Sequence, residues 1–194
     1  MTEEIDISEK ELIRRAKHGD DKAFEEIINL YQNKICSTIY FMMKDDNKVE
    51  DIAQEVFIKV YKNINRFNEQ SSLYTWIYRI TMNACYDELK KDSKIVYFSS
   101  LVKDDDKEIE FEDYSQNIDD QVSKKFEKDA LIKAIKSLQS EQKALIILRD
   151  IRGFSYNEIA DMLNLKLGTV KSKINRARIS LKEVLEKQGF NYEV

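Results

Sequence analysis

The sequence contains no proline, one histidine, one tryptophan and only four glycines, at positions 19, 153, 168 and 189. A chain so short of turn-formers is poorly suited to a sandwich or barrel, which needs frequent tight turns. An all-α fold is therefore expected. With one histidine, no metal cluster, no nucleophile–base arrangement and no glycine-rich phosphate loop, an enzyme is the least favoured class; no metal or cofactor is expected. Cys36 and Cys85 stand apart with no CxxC pair, which argues against a disulfide framework or zinc site and suits a reducing cytosol. No apolar stretch approaches the ~18 residues of a membrane span. The opening Met-Thr-Glu-Glu-Ile-Asp lacks the basic and apolar segments of a signal peptide. These absences predict a cytoplasmic protein without direct membrane insertion.

What is present is charge, unevenly spread. The 194 residues are 42% hydrophobic, enough for packed cores, and 35% charged, with a net charge of -4. Between Asp92 and Asp120 ten acids face three bases, whereas Lys166 to Lys182 holds six bases and no acid. Such asymmetry is a better pointer to a polyanionic partner than the average charge.

Hydrophobic periodicity divides the chain into helical stretches. Ser8 with Glu11 reads as a capping box opening a first helix, which Gly19-Asp20 ends. Phe24, Ile27, Ile28, Tyr31, Ile35 and Ile39 mark a second helix, interrupted by Lys44 to Asn47. Asn47 with Glu50 repeats the capping pattern before Ile52, Ala53, Val56, Phe57, Val60 and Ile64. After a polar break from Asn65 to Ser72, a fourth helix carries Leu73, Trp76, Ile77, Ile80, Ala84 and Leu89 on one face; a stacking platform for bases is the alternative for Trp76, and its place on this stripe favours the core. Four amphipathic helices can close a core of their own. The reading is two small helical domains, residues 1–92 and 119–194, joined by an acidic flexible linker over 93–118. In the second half, Ser140 begins a short helix closed by Gly153, and Ser155 with Glu158 caps the next. After the turn Asn164-Leu165-Lys166, a long helix runs from about Leu167 to Gln188.

A capped short helix, a tight turn and a long basic helix are the build of a helix-turn-helix, which lays its second helix in a DNA major groove. At 100° per residue the last helix turns Val170, Ile174, Ala177 and Leu181 inward. The opposite side presents Ser172, Asn175 and Arg176, flanked by Lys171 and Arg178 on one edge and Thr169 and Lys173 on the other. Hydroxyls, an amide and long cations without acids suit base edges and phosphates. A solvated basic face is the bland alternative, and the capped context weighs against it.

Two blocks carry a resemblance to a known family. The first is Asp51-Ile52-Ala53-Gln54-Glu55-Val56-Phe57-Ile58-Lys59-Val60-Tyr61, then Arg66-Phe67, then Tyr74 through Leu89. The second is Phe154 to Lys173 with Asn175-Arg176-Ala177-Arg178. In this order they resemble regions 2 and 4 of the sigma-70 family RNA polymerase sigma factors, of the extracytoplasmic-function type. The resemblance implies that Asp51, Gln54, Glu55 and Lys59 dock on the clamp of the polymerase largest subunit. It implies that Asn68, Ser71, Ser72, Tyr74, Tyr78, Arg79, Asn83 and Asp87 open and read the -10 element as single strands. Residues Thr169, Lys171, Ser172, Lys173, Asn175, Arg176 and Arg178 would read the duplex -35 element. Implied partners are the polymerase core (clamp and flap), promoter DNA in duplex and single-stranded form, and an anti-sigma factor. For the linker, composition alone supports a soluble tether, whereas the resemblance implies that it threads the polymerase cleft as a nucleic-acid mimic. The sequence departs from the family at Lys166, where a short polar residue often caps the recognition helix; lysine cannot accept that bond. It departs also at Lys173, often arginine, and at Gln139, often proline.

The competing readings are a stand-alone helix-turn-helix regulator that binds duplex DNA without polymerase, and a helical interaction protein whose basic helix docks on an acidic partner. A plain regulator has no need of the Asp51–Tyr61 and Tyr74–Leu89 segments.

Overall fold

A computed structural model describes residues 2–95 and 118–190 of the chain, and the side chains of residues 9–91 and 128–190. Every regular element among the described residues is helical, and none of these helices is long and apolar enough to cross a membrane. The fold divides into two compact units, one built on Met1–Glu88 and the other on Leu89–Ala160 and Leu165–Val194.

The first unit holds α1 (Thr2–Lys17), α2 (Asp21–Met42), α3 (Val49–Asn63) and α4 (Leu73–Ile95). Helix α1 starts at Thr2, so Ser8 lies inside it and is not its cap. The segment before Ser8 contains no breaker, and acids near a helix start are favoured by the helix dipole. The connection to α2 takes three residues. Gly19 adopts the left-handed conformation (φ +84°), and its amide donates to the Ala16 carbonyl at 3.0 Å. The Asp20 carboxylate then accepts from the amides of Lys22 and Ala23 at 3.0 and 3.2 Å, capping α2. Arg15 donates to the same carboxylate at 2.8 Å and, with those amides, holds its pKa below the usual aspartate value.

The entry to α3 also differs from the sequence expectation. Asp45, not Asn47, supplies the cap: its carboxylate accepts from the Asn47 amide at 3.0 Å and opens a 3-10 turn over Asp46–Lys48. That turn feeds α3 directly, so no side-chain cap is used at Lys48. The core gathers Ile27, Ile35, Ile39 and Met42 from α2, Val56 and Val60 from α3, and Leu73, Ile77, Tyr78, Met82 and Cys85 from α4, all fully buried or nearly so. Leu12, Ile13 and Ala16 close it from α1.

The second unit holds α5 (Ile118–Ser137), α6 (Ser140–Ile146), α7 (Tyr156–Leu163) and α8 (Leu167–Lys187). Helix α6 runs on as one π-helical turn, Ile147–Ile151, a rare widening of the ladder. Gly153 (φ +78°) then reverses the chain. The capping box forms as the sequence predicts: the Ser155 amide donates to the Glu158 carboxylate at 2.9 Å, and the Glu158 amide donates to Ser155 Oγ at 3.2 Å. Val170, Ile174 and Ala177 of α8 are buried, with Leu185 the fourth buried position; Leu181, expected there, is only half-buried. Gly189 (φ +89°) follows the end of α8. Helix α4 continues to Ile95, three residues past the expected end of the first domain at 92, and residues 96–117, with most of the expected acidic linker, lie outside the described residues.

Candidate nucleic-acid interface

Helix α8 meets its turn through Asn164, held left-handed at φ +53°. Lys166 occupies the N-cap position and makes no side-chain capping bond, which leaves amides of the first turn without that partner. Burial of Val170, Ile174 and Ala177 fixes the rotation of the helix and turns the expected set outward. Lys171, Ser172, Asn175, Arg176 and Arg178 are exposed, and Thr169 and Lys173 are half-exposed. Ser172 Oγ donates to the Thr169 carbonyl at 3.0 Å, so its lone pairs stay open to a donor from outside.

The cations of this face are not equivalent. Lys173 Nζ sits 2.7 Å from both carboxylate oxygens of Glu141 on α6. Arg178 forms a two-pronged contact to Asp150 in the π-helical turn, its Nε donating at 3.1 Å and its Nη2 donating to the other oxygen. Lys171 and Arg176 have no ion-pair partner among the described residues. The turn before α7 is braced by Arg149, which donates to the Phe154 carbonyl at 2.8 Å and stacks 4.6 Å from the Tyr156 ring centre.

In the first unit, the predicted single-strand set splits. Asn68 and Ser71 are exposed in the loop before α4, with Asn68 Oδ1 accepting from the Gln70 amide at 3.3 Å. Ser72 is also exposed, but its hydroxyl is the cap of α4: it accepts from the Thr75 amide at 3.0 Å and lies 2.8 Å from Thr75 Oγ1. Glu69 in this loop is left-handed (φ +59°) and pairs with Lys17 of α1 at 2.5 Å, while the Lys17 ammonium lies 5.4 Å from the centre of the Phe67 ring. Arg79, Asn83 and Asp87 are exposed along one row of α4 at four-residue spacing. Tyr74 is half-buried, 5.9 Å from Tyr31 and 4.5 Å from Tyr78 by ring centres, with Lys34 Nζ 5.5 Å from its own.

Tyr78 does not belong with the exposed set. It is 0% exposed, with its hydroxyl 3.3 Å from Thr38 Oγ1 and 3.4 Å from the Lys34 carbonyl. One residue before Arg79 on a helix points about 100° away, which here means into the core. Trp76 departs in the other direction. Expected in the core, it is half-exposed and packs on Phe67 at 5.2 Å between ring centres.

Trp76 is instead one wall of an open groove of about 440 Å³ lined by Lys59, Asn63, Arg66, Trp76, Ile80 and Asn83. An aromatic and an aliphatic floor between an amide and cations suits a stacked base with its phosphate. Of the groove residues, Asn63, Arg66 and Ile80 carry no site expectation from the sequence, and Trp76 only that of the stacking platform set aside in favour of the core. The available signal was the row Trp76, Ile80, Asn83 at helical spacing, an apolar stripe running out into an amide. Lys59, assigned to the polymerase set, stands at this groove and pairs with Glu55 at 2.7 Å. Asp51, Gln54 and Glu55 are exposed on α3 with Ile58, which is 46% exposed; Val56 and Val60 face inward, and Phe57 is half-buried.

The Sigma-70 region 2 family model matches residues 27–95 and the Sigma-70 region 4 model matches residues 128–181. The chain is 33% identical over 185 residues to the ECF RNA polymerase sigma factor SigW of Bacillus subtilis, covering 91% of this chain and 96% of that protein. The chain belongs to the ECF sigma factors. The ECF RNA polymerase sigma-E factor of Haemophilus influenzae is 30% identical over 176 residues, covering 89% of this chain and 92% of the relative. Among solved structures, the sigma factor RpoE of Bartonella quintana, in complex with the anti-sigma factor NepR, superposes with a TM-score of 0.70 at 26% identity, over 85% of this chain and 98% of that one. A stand-alone helix-turn-helix regulator does not account for the region 2 match in this sigma factor.

Proposed function

We propose that this sigma factor directs the bacterial RNA polymerase core to a specific promoter set by dividing three contacts among named surfaces. Residues 1–92 act as region 2, residues 119–194 as region 4, and 93–118 as the tether. The exposed row Asp51, Gln54 and Glu55, with Ile58 among it, docks on the clamp of the largest subunit, and region 4 engages the flap. The loop Asn68–Ser72, the groove beneath Trp76, and Arg79, Asn83 and Asp87 hold the separated -10 strand. Lys171, Ser172, Asn175 and Arg176 read the -35 duplex, with Thr169, Lys173 and Arg178 at its margin. The protein works in the cytoplasm, and an anti-sigma factor holds it in reserve; the Bartonella quintana relative is in complex with the anti-sigma factor NepR.

The observation that supports this most is the coexistence of two dissimilar surfaces in one chain of this family. One is an aromatic groove suited to unstacked bases; the other is a cationic helix face suited to a duplex. Purified chain added to core polymerase and a genomic promoter library should yield discrete start sites that core alone does not produce. Retention of promoter binding without core, or failure to bind core, refutes the assignment.

A further inference from the structure

We infer that Glu141 and Asp150 act as an internal brake on duplex binding, each occupying a cation of α8 that would otherwise pair with a DNA phosphate. The inference rests on the proposal that α8 presents its cationic face to the -35 duplex.

Of the four cations proposed for that face, Lys171 and Arg176 have no ion-pair partner among the described residues, whereas Lys173 and Arg178 are held. Both contacts are two-pronged: Lys173 reaches both oxygens of Glu141 at 2.7 Å, and Arg178 forks onto both oxygens of Asp150. They link segments 32 and 28 residues apart, so neither is a by-product of helical spacing. All four side chains remain between 32% and 50% exposed. Ion pairs this exposed add little to stability, so each carboxylate competes with an arriving phosphate and reduces, without abolishing, the cation's contact with DNA. The carboxylate therefore sets how many cations the duplex recruits.

The consequence is specificity. Phosphate contacts strengthen binding to every sequence, whereas Ser172, Asn175 and Arg176 contact base edges whose identity matters. Holding back two phosphate contacts lowers the sequence-independent part of the affinity and leaves the base-reading part in place. Glu141 and Asp150 act through Lys173 and Arg178 and need touch no nucleotide themselves.

The salt dependence of binding reads this directly, because each phosphate neutralised contributes about 0.9 to the slope of log affinity against log salt. Holoenzyme is titrated with promoter fragments carrying an intact or a scrambled -35 element over a range of salt. Wild-type holoenzyme must favour the intact fragment; if it does not, the reading of α8 itself fails. Given that preference, Glu141→Gln and Asp150→Asn should each steepen the slope by up to about 0.9, the double variant should exceed either, and the preference for the intact element should shrink. Glu183→Gln removes an exposed acid further along α8 that has no ion-pair partner among the described residues, and should leave the slope unchanged. Lys173→Ala should lower the slope more in the Glu141→Gln background than in the wild type, where Glu141 already holds that cation back. Unaltered slopes in both amide variants, an equal steepening by Glu183→Gln, or an equal loss of slope on Lys173→Ala in the two backgrounds would each overturn the brake. Thermal melting of each variant checks the fold, and the Asp150→Asn arm, which acts through Arg178, decides the matter where Glu141→Gln melts early.

Discussion

Replacement of Tyr78 separates a core role from a DNA-reading role, because the two predict opposite results for one hydroxyl. Tyr78→Phe keeps the ring that stands 4.5 Å from Tyr74 and deletes only the oxygen. That oxygen lies 3.3 Å from Thr38 Oγ1 and 3.4 Å from the Lys34 carbonyl, both long beside the usual 2.7–2.8 Å between oxygens. Thr38 still donates to the Lys34 carbonyl at 2.8 Å, so the deletion leaves that carbonyl with a donor. The cost should sit at the low end for a buried hydrogen bond, about 0.5–1 kcal/mol. In a unit of this size that lowers the melting temperature by a few degrees. Tyr78→Ala removes the ring as well and should cost about 3–5 kcal/mol, a large share of the roughly 5–15 kcal/mol that holds a domain together.

Thermal melts of the purified protein, paired with permanganate probing of promoter opening by holoenzyme, provide both readouts. Tyr78→Phe should lose a little stability and open promoters normally. Asn83→Ala, an exposed change, should melt like wild type and fail to open them. If Tyr78→Phe cuts opening about tenfold, equal to about 1.4 kcal/mol, while melting normally, then its hydroxyl meets DNA and the buried placement is wrong.

Arg176→Ala and Lys171→Ala should each weaken binding to promoters that depend on a -35 element, with each lost base contact costing about 1–3 kcal/mol; equal losses on fragments lacking that element would mean no base is read. Glu55→Ala should reduce affinity for core polymerase in a pull-down while leaving the melt unchanged, since its exposed pair with Lys59 is worth only about 0.3–0.5 kcal/mol. Ser155→Ala breaks the capping box before α7 and should destabilise the second unit by about 1 kcal/mol in urea titration; no change would show that the cap is idle. Burial pushes the Cys85 thiol up to about 12, so at pH 8 it stays protonated. Iodoacetamide should then label half-buried Cys36 first, and prompt labelling of Cys85 in folded protein would contradict the packing of α4.

Helix existence was legible because the stripes that bury each helix recur at three-to-four spacing, and tertiary packing follows those stripes. Helix starts were less so. Ser155 with Glu158 became a true capping box, whereas Ser8 with Glu11 fell inside α1 and Asn47 yielded to Asp45. The same four-letter pattern is satisfied wherever a short polar side chain stands three residues before an acid. Which candidate caps is decided by where the chain turns, and a turn such as Asp45 to Lys48 depends on the packing of the flanking helices. The absence of a cap at Lys166 was legible, because lysine has no acceptor to offer.

The two site errors share one cause. Periodicity assigns side chains to faces but does not say how wide the covered face is. Tyr78 was read as outward because tyrosine can serve a nucleic acid, yet it lies between Ile77 and the Arg79 row where α4 still meets α2 through Thr38. Trp76 was read as inward because it shares a stripe with Leu73, Ile77 and Ile80, yet the packing ends at Phe67 and leaves its far side to the groove. A stripe's margins are set by the neighbour that covers it, and that neighbour is remote in sequence. The pairing of Lys173 and Arg178 was invisible for the same reason: their acids are contributed by α6 and the turn after it. Counting bases along a helix therefore overstates the charge left unpaired on its surface. The unpaired number is what remains after the fold's own carboxylates have taken their share, and of the four cations on the proposed DNA face of α8 that leaves Lys171 and Arg176 with no intramolecular ion pair among the described residues.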